Sequence, residues 1–126
     1  IVIREDNHLL IRTRSDKGLL GGMSEVPTTA WTEDHLPANP DAILAIKTRW
    51  HTVAEPVRQV FTHFELELHI HATRIKAAYP APADMRFTAL ANLAQEALPT
   101  VMKKAIEAGL RHPQLRHPRA TKRGSQ

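Results

Sequence analysis

Polarity along the first fourteen residues rises and falls around one polar break. IVIR and HLLIRTR flank Glu5-Asp6-Asn7, and the β-branched and Leu-rich content on both sides predicts a β-hairpin with Asp and Asn in its turn. In the second arm Leu9, Ile11 and Thr13 alternate with Leu10, Arg12 and Arg14, the pattern of a strand with one face in a core. The longest alternation lies in FTHFELELHIHATRI. Phe64, Leu66, Leu68, Ile70 and Ala72 fall on one side and Glu65, Glu67, His69, His71 and Thr73 on the other, which predicts one long strand with a buried and a wet face. Val57 and Val60 suit a strand before it, with Thr62 and His63 near the corner between the two.

Near the end of the chain the period changes from two to about 3.6. In ALPTVMKKAIEAGL, Val101 with Ala105 and Met102 with Ile106 are i, i+4 pairs on an inner helix face, while Lys103, Lys104 and Glu107 stay outside. Pro99 suits the first turn of this helix and Gly109 its C′ position. A shorter helix is expected after Asp41 as N-cap, with Ile43, Ile46 and Trp50 sharing a face. Gly18, Gly21 and Gly22 predict a tight turn, Ser24 to Trp31 reads as extended, and residues 32 to 40 and 79 to 84 read as loops. Strands dominate, with one firm helix near the end, so the fold class is α+β.

Length and charge sharpen this picture. A chain of 126 residues, 42% of them hydrophobic, supports one core and no second domain. Seventeen Lys and Arg against thirteen Asp and Glu give a formal +4 and a pI near 9.9, which invites a nucleic-acid reading. The placement of the charges qualifies it. Arg111, Arg116, Arg119, Lys122 and Arg123 all lie in RHPQLRHPRATKRGSQ, which has no acidic residue, leaving twelve basic against thirteen acidic side chains, net −1, in residues 1 to 110. Residues 111 to 126 are therefore read as a separate disordered basic tail suited to phosphate contact, and 1 to 110 as the folded body. With no cysteine, the chain can form neither disulfides nor thiolate metal or iron–sulfur sites. No apolar run approaches the ~20 residues that cross a bilayer and no signal peptide is evident, so a soluble protein with no membrane partner is expected. Opening on IVIR without an initiator Met, the sequence reads as a piece of a longer protein.

Candidate chemistry is sparse. Ser24 after the glycines resembles a nucleophile elbow only in part, because Gly22 fits the motif and Val26 does not; a turn residue entering a strand is the better reading. Glu65, Glu67, His69 and His71 on one strand face could seed a metal site, although alternating Glu and His is also what a solvated sheet face looks like. Phe61-Thr62-His63-Phe64 differs from both, since a hydroxyl that donates and accepts sits beside an imidazole at an exposed corner, between two aromatics that could equally be core. Such a pair could read a base edge.

Three blocks carry a family resemblance. Lys17-Gly18-Leu19-Leu20-Gly21-Gly22-Met23 followed by Glu25-Val26-Pro27 and Trp31 resembles the opening signature of the C-terminal domain of the MutY family of A/G-specific adenine DNA glycosylases. Val57-Arg58-x-Val60-Phe61-Thr62-His63-Phe64-x-Leu66 looks like that family's Phe-Ser-His loop and following strand, and Ala97-Leu98-Pro99-Thr100-Val101-Met102-Lys103-Lys104 is similar to its closing helix. The blocks occur in the family's order and cover most of residues 1 to 110.

The resemblance implies a Nudix-like mixed sheet flanked by helices. Nudix hydrolysis needs a Gly, a Glu six positions later, then Arg-Glu-x-x-Glu-Glu to hold magnesium at a pyrophosphate. Six positions after Gly18, Gly21, Gly22 and Gly109 stand Ser24, Pro27, Thr28 and Leu115, and the only Arg-Glu pair, Arg4-Glu5, lacks its second half. A recognition module with no catalytic residue and no metal or cofactor of its own is thus expected; an active hydrolase of oxidised nucleoside triphosphates is the alternative. In the family, this domain detects 8-oxoguanine opposite adenine in double-stranded DNA, while a separate N-terminal catalytic domain, its partner in the same chain, carries a 4Fe-4S cluster and excises the adenine. The resemblance thus implies a cytoplasmic bacterial repair protein. Carried over, Thr62 takes the usual Ser position, Phe61 wedges beside it, His63 tests the lesion or its backbone, and Arg58 lies close enough to contact DNA. Thr62 adds a methyl that restricts χ1, and Ser24 replaces a large apolar residue common after the Gly-Gly-Met segment.

Overall fold

A computed structural model describes residues 1–15, 18–33, 40, 44 and 46–115. The hairpin forms as expected. Strands β1 (Val2–Arg4) and β2 (His8–Thr13) pair antiparallel, and Asn7 adopts a left-handed φ of 60° in the turn, a conformation that Asn tolerates. The next strands in chain order are β3 (Ser24–Glu25), β4 (His51–Thr52), β5 (Val57–Val60), β6 (Glu65–Leu68), β7 (His71–Ile75) and β8 (Met85–Ala89). Helix α1 spans Thr100–Leu110. The main sheet runs β3-β2-β1-β7-β4 with β8 also along β2; β1 and β7 are parallel, so the sheet is mixed. Strands β5 and β6 form a separate two-stranded ribbon. The α+β class stands.

The predicted single strand over 64 to 73 is two strands in different sheets. The alternation survives the break because Leu66, Ile70 and Ala72 all enter one core cluster, together with Ile3, Leu9, Ile11, Met102 and Ile106. Periodicity reports the shared core and is blind to the change of partner, from β5 to β1 and β4. Phe64, assigned to the buried side, is 45% exposed. Thr73, assigned to the wet side, is buried and donates its hydroxyl to the carbonyl of Arg49 at 2.9 Å.

A second cluster covers the opposite sheet face, with Val2, Leu10, Leu44, Ile46 and Ile75 buried and Trp50, Tyr79, Met85 and Phe87 packed on them. Leu9, Leu10 and Ile11 are consequently all fully buried, so β2 is buried on both faces at its centre instead of half-buried. Ile46 and Trp50 belong to this cluster, and the segment 46–50 is not helical; Asp41 and Ile43 lie outside the described residues. Met85 and Phe87 feed the same cluster from β8, a short strand between the 79–84 loop and the segment before α1.

Val101, Met102, Ala105 and Ile106 are buried in α1 and Lys103, Lys104 and Glu107 are exposed, as the period requires. Pro99 sits at the N-cap, one step outside the predicted first turn, and Gly109 lies within the helix. A Cβ on Gly109 would meet Ile1 Cγ1 at 2.5 Å, so close packing of the helix on the start of β1 explains this glycine. The Gly-rich turn places Gly18 and Gly22 at φ of 87° and 77°, with Leu20 also left-handed. Beyond α1, Pro113–Leu115 form a 3-10 turn whose Leu115 is 1% exposed and whose carbonyl accepts from Arg74, so residues 111–115 join the folded body. The rest of the expected tail, 116–126, lies outside the described residues.

Candidate nucleic-acid interface at the β5–β6 turn

Strict alternation along the ribbon separates two faces. Register pairs Arg58 with Glu67 and Val60 with Glu65 on one side, and Val57 with Leu68 and Gln59 with Leu66 on the other. The second face packs on α1: Lys104 Nζ donates to Gln59 Oε1 at 3.1 Å, and Val57 lines the same small depression as Ala108. Helix and strand therefore run antiparallel, and the first turn of α1 lies toward the far end of β5. At that end the N–H of Phe61 donates to the carbonyl of Phe64 at 2.8 Å and closes a loop whose two free residues, Thr62 and His63, are both exposed.

Aromatic packing holds this loop from below. The Phe61 and Phe64 rings stack at 5.0 Å between centroids with an interplanar angle of 26°. Phe61 is half-buried and meets Trp31 at 6.2 Å. Trp31 lies beneath the Arg14 guanidinium, 4.2 Å from the ring centroid, a favourable cation–π distance. Arg14 and Arg12 bracket Glu25, at 2.7 and 2.8 Å, and Glu25 is 3% exposed. Both carboxylate oxygens of this buried anion are thus matched by cations, as burial of charge requires. An unbroken chain of contacts runs from the ion triad around buried Glu25, through Arg14 and Trp31, to the paired phenylalanines under Thr62 and His63. Arg12, Arg14, Glu25, Trp31, His63 and Phe64 line one groove.

The four expected residues have different fates. Thr62 and His63 stand at the apex. Phe61 points inward, and Phe64 is the more exposed ring of the pair. Arg58 is on the ribbon's outer face, 2.5 Å from Glu67 and 3.8 Å from Glu65, while His69 Nε2 lies 2.9 Å from Glu67. Arg58 pairs with these carboxylates while its side chain stays 54% exposed. Sequence reasoning did not assign Arg14 and Glu25 to this support; their charges at the β2–β3 pairing were the available signal.

The other constellations resolve differently. Ser24 is buried and donates to Glu96 Oε1 at 2.9 Å; Arg86 also binds Glu96 and, as the larger influence, lowers its pKa, with the Ser24 bond adding to the effect. Glu65, Glu67, His69 and His71 straddle the break between β6 and β7, and among the described residues no three His, Cys, Asp or Glu side chains are grouped to hold a metal. No helix among the described residues is long and apolar enough to cross a membrane.

A mixed sheet with a packed C-terminal helix and a braced two-residue tip defines the class: the NUDIX domain family model matches residues 1–108, and the chain belongs to that family. Among solved structures, the complex between the C-terminal domain of mouse MUTYH and human PCNA contains a match with a TM-score of 0.66 and 21% identity. The match covers 85% of this chain and 81% of that one, so the two share a fold. No curated protein sequence matches the chain.

Proposed function

We propose that this chain is the lesion-recognition domain of an adenine DNA glycosylase, reading 8-oxoguanine opposite adenine in duplex DNA. The observation that carries the reading is a hydroxyl and an imidazole, Thr62 and His63, presented together at the tip of a ribbon braced by Phe61, Phe64 and Trp31. Guanine N7 only accepts a hydrogen bond, whereas 8-oxoguanine carries a proton on N7 and a carbonyl on C8. A hydroxyl accepts from N7–H and donates to O8, and thus gains with the lesion a pair of contacts that guanine denies it. Contacts of this kind are worth about 1–3 kcal/mol in base discrimination. Phe61 supports the turn from inside, and Phe64 offers the ring that can lie against a base. Arg58 acts through the ribbon, holding Glu65 and Glu67.

Within this reading the glycosidic bond is cut by an N-terminal catalytic domain carrying the iron–sulfur cluster, and this chain contributes recognition. The test is a competition between duplexes bearing 8-oxoguanine:adenine and guanine:adenine, with the parent and with Thr62→Ala and His63→Ala. Preference for the lesion should fall in both variants. Preference unchanged in both would remove these residues from the site. Incubation with 8-oxo-dGTP and magnesium separates the hydrolase alternative, for which pyrophosphate release is the required result.

A further inference from the structure

The formal charge of the body conceals a segregation that the fold creates. On the outer face of the β5–β6 ribbon, Glu65 and Glu67 outnumber Arg58, which is already bound to them. On the other side of the ribbon, α1 exposes Lys103 and Lys104, and its C-cap Arg111 is exposed one turn beyond Glu107, the single acid among them, to which it is loosely paired at 3.9 Å. Lys104 reaches Gln59 of β5, which fixes this helix face beside the strand that leads into the Thr62–His63 turn. Met102, the neighbour of Lys103, lines the same groove as His63 and Phe64.

The placement of the lysines is unfavourable for the helix itself. A helix N-terminus carries partial positive charge and favours acidic residues in its first turn. The first turn of α1 has none, its N-cap Pro99 makes no side-chain capping bond, and Lys103 and Lys104 follow at once. Cations there add to the positive end of the dipole. With the buried pairs Val101–Ala105 and Met102–Ile106 supplying the packing, these exposed positions could have carried acids at no cost to the core.

We infer that the exposed Lys103–Lys104 face of α1, extended by Arg111 at its C-cap, is a sequence-independent docking surface for the phosphate backbone of duplex DNA, orienting the duplex so that the adjacent Thr62–His63 tip meets the base. The acidic outer face of the ribbon repels the same backbone, so the two faces together select one orientation. This inference rests on the reading of the tip as the base-contacting element. It assigns affinity to α1 and preference to the turn.

The experiment measures binding of the 126-residue chain to fluorescent duplexes with and without 8-oxoguanine, from 50 to 200 mM salt, for the parent, Lys103→Ala/Lys104→Ala and Thr62→Val. Removing two phosphate contacts should weaken binding to both duplexes alike and lower the slope of log affinity against log salt by about 2. Over that fourfold salt range the parent should lose about tenfold more affinity than the double variant. A control that removes equal charge elsewhere, Lys47→Ala/Lys76→Ala, should leave the slope near that of the parent. The inference is overturned by an unchanged slope in the lysine pair, by an equal loss in the control, by a loss confined to the lesion duplex, or by failure of the parent to bind either duplex at 50 mM salt. The reading of the tip fails separately, if Thr62→Val retains full lesion preference.

Discussion

At the scale of single residues, Thr62 separates hydroxyl chemistry from shape. Valine is nearly isosteric with threonine but cannot hydrogen-bond, whereas serine keeps the hydroxyl and frees χ1. Thr62→Val should therefore lose about 1–3 kcal/mol of preference for 8-oxoguanine:adenine while Thr62→Ser keeps it, as read by the ratio of the two dissociation constants. Gly109 offers a different residue-level test. Alanine ordinarily favours a helix over glycine by about 1 kcal/mol, but here its Cβ would press on Ile1 at 2.5 Å. Overpacking costs about 1–3 kcal/mol, so Gly109→Ala should lower the urea midpoint instead of raising it.

The element that decides the site is the β5–β6 ribbon together with what lies under its turn. Two-stranded ribbons are marginal alone, and this one is held by α1 on one face and by the aromatic stack at its tip. Trp31→Ala removes the contact with Phe61 and the seat of Arg14. Because Trp31 is half-buried, a loss of about 2–3 kcal/mol is expected in denaturant unfolding, less than for a fully buried Trp. Lesion preference should fall as well, because Phe61 under the Thr62–His63 turn loses its support. The ribbon and its turn were readable from Val57, Val60 and the alternation after Phe64. The brace was not, because Trp31 and Phe61 are distant in sequence and meet only when β3 and β5 are placed by different sheets.

For the whole molecule, pH and salt act through different regions. The rings of His51 and His112 stack at 5.3 Å and join edge strand β4 to the segment after α1. Burial, then the neighbouring His112 and Arg49, lowers the pKa of His51 below its usual 6.5, and burial does the same first for His71. A base with a depressed folded pKa binds protons less readily than in the unfolded chain. Its contribution to stability is complete above 6.5 and is lost as pH falls toward and below the folded value. Urea unfolding at pH 7 and 5 should show the parent losing stability on acidification and His51→Gln losing less. The C-terminal segment holds the other cluster of cations in the sequence, and a salt-dependent contribution to DNA affinity is expected from it. Since Leu115 is buried, truncation belongs after residue 115; removing 116–126, with Arg116, Arg119, Lys122 and Arg123, should reduce salt-dependent DNA affinity and leave lesion preference intact in the duplex competition.

By itself the sequence determined the hairpin, the inner face of α1 and the Thr62–His63 corner, because each depends on local turn chemistry or on a period that one segment carries alone. It also placed the cationic surplus in the C-terminal segment. Tertiary structure alone decided that 64 to 73 divides between two sheets, that Leu10 is as buried as Leu9, and that Arg58 is bound to Glu67. It also decided which side of the ribbon is acidic and which is flanked by lysines. Those outcomes depend on which partner each face meets, and a hydrophobic period records only that a face is buried.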